Sequence, residues 1–349
     1  MMLGTLITLT AALAMGEAAT STQQVVESLR AEVSRERKEL DELPSSPFLD
    51  GERPRLKGLL DDTDVLLKAA RLNVALESLS STSPGIIAMS RASTGWDDTG
   101  KAGGKGIDAL AKEWAEVGVR LKADRPKFPA TAPKGQSMYV RALAEQSLGQ
   151  IDESYAVAVD YGRVSGATFG AYYVGRAEGQ MAFALFLSRL DANEPRAFKT
   201  LPSLSTPIAR IEDEIVAAYA KPGSTAQHNN FIIANSSLKL AKELNRDGRY
   251  AGALATVLRS LFALGLATLP APPSDQEAAL TAKADDFAKT FGASKRDESI
   301  GEAFLEKARI ALEKSKAGGE AGERERLRAA ALVGLVLPRY EEIMKGAGR

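Results

Sequence analysis

Residues 231–270 read FIIANSSLKLAKELNRDGRYAGALATVLRSLFALGLATLP, and this stretch decides the fold. Ile233, Leu240 and Leu244 recur at helical spacing in its first half. Asn245-Arg246-Asp247-Gly248-Arg249-Tyr250 then breaks the pattern with turn-forming residues. From Tyr250 to Leu269 a second apolar segment carries one charge, Arg259. The sequence therefore predicts a helical hairpin with a buried second helix. A membrane span is the competing assignment for that helix. A central Arg costs about 2.5–3.5 kcal/mol on insertion, and Gly252, Thr256, Ser260 and Gly265 weaken the span further, so a core helix is expected.

The rest of the chain follows the same period. Helices are predicted near 27–43, 54–79, 107–121, 136–161, 165–190, 208–220, 225–247, 249–269, 275–291, 297–316 and 321–345. Val26, Leu29, Val33, Leu40 and Leu43 line the first of these, with Glu36 breaking the seam. Leu56, Leu60, Leu67, Ala70 and Val74 line the second. Pro44 and Pro47 separate the two, which suggests an N-terminal hairpin or bundle over 21–121. Ser, Thr, Gly and Pro crowd residues 80–106, where a long loop is expected. Pro126, Pro129 and Pro133 mark 122–135 as a linker ahead of a C-terminal helical array over 136–349. No alternating β-branched pair flanks a two-residue turn. The fold class is all-α.

Residues 1–20 carry the features of a signal peptide. Met1 to Met15 is uncharged and apolar, and Ala12-Leu13-Ala14 offers a cleavage pattern, although no Lys or Arg precedes it. A periplasmic or secreted location is expected, with membrane contact only through this transient segment; the alternative is an ordinary buried first helix. Cysteine is absent, which removes disulfides, thiolate chemistry and cysteine-bound metals. His228 is the only histidine, so a site needing two imidazoles is excluded. The 45 basic and 45 acidic residues balance, and a neutral chain has no general attraction to nucleic acid.

The 231–270 hairpin resembles tetratricopeptide repeats. Ala241 stands at the small inner position of that motif, Gly248-Arg249-Tyr250 at its turn and Ala253 at its small outer position. Gly149-Gln150-Ile151 with Ser154, and Gly179-Gln180-Met181 with Ala184, resemble weaker copies. The resemblance covers 136–269 and implies a binding scaffold whose inner helices line a groove for extended peptides.

Asn235, Lys239, Lys242 and Arg246 recur along one face of the first hairpin helix. In a groove they would suit an acidic protein or peptide partner; the plain alternative is a solvated face. Trp96, beside Gly95, Asp97 and Asp98, is a further candidate partner contact, or a side chain that pins its loop to the core. Three catalytic motifs fail on context. Gly95 to Lys101 has phosphate-loop spacing, but Ala102 follows where a hydroxyl is needed. Ser236-Ser237-Leu238-Lys239 lacks its companion motifs. Asp61-Asp62-Thr63-Asp64 has no second acidic cluster to share magnesium. His228 reads as a helix-start residue. A non-enzymatic binding or scaffold protein without cofactor or metal is expected. The alternatives are a structural envelope protein that self-associates through its first helix, and an enzyme whose site the sequence does not display.

Overall fold

A computed structural model describes residues 4–45, 47–96, 106–133, 135–190, 196, 201–219 and 224–346. Side chains are described from Gln23 in the first helix and from Asp50 in the second. The side chains of the expected signal peptide, and most of the Gly95 to Lys101 motif, lie outside the described residues. The protein is all-α, with no strand among the described residues. It forms two compact units: Met1–Val140 with Gln150–Arg196, and Arg141–Gly149 with Ala197–Arg349. The sequence places a single boundary at 122–135, whereas residues 150–196 join the N-terminal helices.

In the first unit, α1 (Gly4–Glu42), α2 (Pro47–Lys68) and α3 (Leu72–Ala92) pack together. The seam of α1 is Val25, Leu29, Val33 and Leu40, all buried. Leu56, Leu60 and Leu67 bury the matching face of α2. Two predicted features are corrected. The helix expected over 54–79 is two helices, α2 and α3. Ala70 separates them in a left-handed conformation, φ 56°, where Arg71 N–H donates to Leu66 O and Ala70 N–H to Leu67 O. These two bonds form a Schellman turn, and its usual glycine signal is missing here. Pro47 opens α2, where a missing N–H costs nothing.

The second correction concerns 80–106, whose first part is helical to Ala92. Ser80 and Thr82 donate their hydroxyls to the carbonyls of Glu77 and Ser78, one turn back. Helix α6 (Ala167–Arg189) crosses α3 so closely that a methyl group on Gly179 would meet Pro84 at 2.6 Å, and one on Gly175 would meet Ala88 at 2.8 Å. Pro84 and the small residues thus serve a tight helix crossing rather than a loop. Helix α4 (Ile107–Asp124) buries Leu110, Val117 and Leu121. Trp114 and Tyr155 stack at 4.6 Å, and each donates a hydrogen bond to the other's carbonyl oxygen, locking α4 to α5 (Met138–Ser165).

In the second unit, α7 (Ser205–Ala218), α8 (Thr225–Arg246), α9 (Tyr250–Thr268), α10 (Glu277–Ala293) and α11 (Ser299–Ser315) match the predicted helices within three residues. The last predicted helix comprises α12 (Gly319–Ala331), a π-helical segment (Leu332–Val336) and α13 (Leu337–Gly346). Pro338 explains the wide turn: its ring would collide with the carbonyl of Gly334 in a regular α-helix.

The α8–α9 hairpin forms as expected. Gly248 turns with φ 74°, Arg249 N–H reaches Leu244 O at 2.8 Å, and Gly248 N–H reaches Asn245 O at 3.2 Å. Ala241 and Ala253 are fully buried. Helix α9 is long and apolar enough to cross a membrane. Yet its side chains, including Leu254, Leu258 and Leu261, are packed inside this unit, and Arg259 is exposed. Ile233, expected on the apolar face of α8, is 47% exposed; Phe231, Ala234 and Leu238 take that face. Gly149 and Gly179 lie inside α5 and α6, not at turns, so the two weaker repeat copies do not mark hairpins. Gly149 instead admits Leu240 and Leu244 of α8.

Candidate functional site

The candidate binding residues lie on α8, and α7 runs antiparallel beside them. Three ties fix this register. The Asn245 side-chain oxygen accepts from Leu204 N–H at 2.7 Å, capping the start of α7. Midway, Lys242 Nζ meets Glu212 Oε1 at 2.5 Å. At the far end the Tyr219 ring sits edge-on to Phe231 at 5.1 Å, and its hydroxyl lies 3.4 Å from His228 Nδ1. His228 therefore serves the α7–α8 seam.

Asn235, Lys239, Lys242 and Arg246 are all exposed. Their electrostatic states differ. Lys242 is held by Glu212, and Arg246 Nε lies 3.3 Å from its neighbour Asp247. Lys239 has no ion-pair partner among the described residues. Ile232 extends the same stripe, three residues before Asn235 and seven before Lys239, and is 53% exposed. Val216, one turn beyond Glu212 on α7, is 70% exposed. The sequence shows the polar members of this surface. It does not show the apolar ones, because exposure of Val216 and Ile232 depends on which faces the neighbouring helices cover.

On its other side α7 meets α13 through a closed ring of charges. Arg339 lies 2.8 Å from Glu214 and 3.2 Å from Glu342; Arg210 lies 2.6 Å from Glu342 and 3.4 Å from Glu214. This ring borders a cleft of about 260 Å³ also lined by Pro202, Pro207 and Ile343. Two cations and two anions cancel, so the cleft presents no uncompensated charge. A cleft of about 500 Å³ lies between the end of α11 and the start of α12, with Lys314, Arg324 and Arg328 exposed along it.

The buried polar groups are elsewhere and tie helices together. Arg141 Nε donates to Glu145 Oε1 at 2.6 Å, and Glu145 Oε2 accepts from Gly252 N–H at 2.8 Å, satisfying an otherwise free donor in the first turn of α9. Gln146 reaches Thr256 at 2.8 Å. Glu298 accepts from the Tyr340 hydroxyl at 2.6 Å, from Ser294 at 2.8 Å and from Arg296. Burial, and then the adjacent Glu298 carboxylate, push the Tyr340 hydroxyl well above the ordinary tyrosine range. Among the described residues no group of three or more His, Cys, Asp or Glu is placed to hold a metal.

Trp96 belongs to the first unit. Its indole N–H donates to Arg91 O at 2.9 Å, on the last turn of α3, and the side chain is half-buried. The pinning role suits it better than that of a free anchor.

The fold and this surface define an all-helical protein of two compact units. No family model matches the chain, and no curated protein or solved structure matches it.

Proposed function

We propose that the protein is a non-enzymatic binding or scaffold protein that holds an acidic, partly apolar protein segment on the α7–α8 face. The observation that carries this reading is the stripe of Ile232, Asn235, Lys239 and Arg246, exposed beside Val216. Apolar and cationic side chains exposed together suit a partner that pairs carboxylates with aliphatic groups. A helical scaffold function, as the tetratricopeptide resemblance implies, agrees with it. One alternative is an enzyme, whose site would bring perturbed ionisable groups into a cleft; the strongly shifted Glu36 and Tyr340 line neither of the two clefts described above. Another alternative is self-association through α1, for which the described part of its apolar seam, Val25, Leu29, Val33 and Leu40, is already covered by the first unit. Export rests on the uncharged N-terminal run and its two cleavage candidates, Ala12-Leu13-Ala14 and Gly16-Glu17-Ala18; the native protein is then expected to begin near Met15 or Ala19, and an intact Met1 in cytoplasmic material would contradict it.

The test compares wild type with Lys239→Glu/Arg246→Glu, leaving the Lys242–Glu212 tie in place. Specific partners recovered from the native envelope should be lost at unchanged melting temperature. Retention of the same partners by both forms would overturn the assignment.

A further inference from the structure

The seam of α1 holds one carboxylic acid. Glu36 is fully buried, in line with Val25, Leu29, Val33 and Leu40. One of its oxygens accepts from the hydroxyl of Ser83 on α3, itself buried. Its other oxygen, Oε2, is buried with no hydrogen-bond partner. The charged groups around it are Glu32, Arg35 and Glu39 of α1. Arg35 is 3.9 Å away, beyond hydrogen-bond reach, and is clamped by Glu32 and Glu39 in solvent. Among the described residues, α3 contributes the neutral Ser83 hydroxyl; on α2, Asp61 and Asp64 are bound by Arg37, the next residue of α1. An ionised carboxylate in this place would have one hydrogen-bond donor and, as its nearest cation, a guanidinium 3.9 Å away that two other carboxylates already hold, which is costlier than a neutral acid.

We propose that Glu36 makes the seating of α1 on α3 conditional on a proton, so that α1 is held tightly in acid and loosens as pH rises. Burial supports this by lifting the Glu36 carboxyl from 4.5 to about 8. The sign follows from linkage. The seated helix keeps a proton that the released helix loses, so the seating is strongest below 4.5 and weakens as pH rises toward 8. Beyond that both forms are ionised and the dependence levels off. This window spans neutral pH, which makes α1 a pH-responsive latch on the first unit.

Amide hydrogen exchange on the full chain tests it, with rates corrected for intrinsic exchange at each pH. Protection of amides 29–40 should fall by up to about tenfold per pH unit between pH 5 and 8. Glu36→Gln, close in shape to the neutral acid, should remove the dependence and keep α1 protected at pH 8. Glu36→Leu should do the same if Gln perturbs packing. The proposal is overturned by a flat wild-type profile, by the same profile in both variants, or by amides of α6 losing protection in step with α1.

Discussion

At the scale of single residues, two helix ends show how far sequence and structure agree. Gly248 and Ala70 occupy the same left-handed position of the same turn, with φ of 74° and 56°. Glycine adopts this conformation freely, and other residues pay about 1–2 kcal/mol. Gly248→Ala should therefore destabilise by about 1 kcal/mol, and Ala70→Gly should stabilise by about 0.5–1 kcal/mol, both read from urea unfolding. A loss on Ala70→Gly would mean that the turn after α2 is not left-handed. The same contrast explains what the sequence shows. Asp247-Gly248 announces its turn, whereas Ala70 looks like one more helical alanine, so the predicted helix ran on to 79. Glu36 was visible as a break in the α1 seam, but its burial was not, because that depends on Ser83, 47 residues away.

At the scale of elements, burial decides which polar contact matters. The Lys242–Glu212 pair has both side chains more than 40% exposed, so Lys242→Ala should cost no more than about 0.5 kcal/mol. Glu145 is buried between Arg141 and the first turn of α9. Its removal in Glu145→Ala takes one partner from buried Arg141 and leaves the Gly252 N–H without its acceptor, and should cost about 1–3 kcal/mol. Ala253→Trp overpacks the α8–α9 crossing and should cost about 1–3 kcal/mol or more. Equal melting shifts for Lys242→Ala and Glu145→Ala would contradict this ranking. The helices of the second unit were legible because Pro and Gly punctuate them and their apolar periods are long. The 80–92 segment was not. Its Ser, Thr, Gly and Pro have loop composition, and only the close approach of Gly175 and Gly179 of α6 gives them a helical role.

At the scale of the whole molecule, the helical class followed from periodicity, but the grouping of helices did not. Residues 150–196 join the first unit, and 141–149 of the same α5 join the second. Tertiary ties such as Glu145 to Gly252 make that division, and they link positions far apart in sequence. The candidate surface was likewise legible in part. The cationic stripe can be read from spacing, while the pairing of Lys242 and the exposure of Ile232 and Val216 arise only when α7 lies beside α8. The proposed function rests on that surface, so the most direct measurement is photo-crosslinking in the producing cells from position 239. A matched control uses position 283, an exposed lysine on α10. Discrete protein adducts from position 239, lost on Arg246→Glu and absent from position 283, are the expected result. Identical adducts from both positions, or none from position 239, would contradict a binding role for the α7–α8 face.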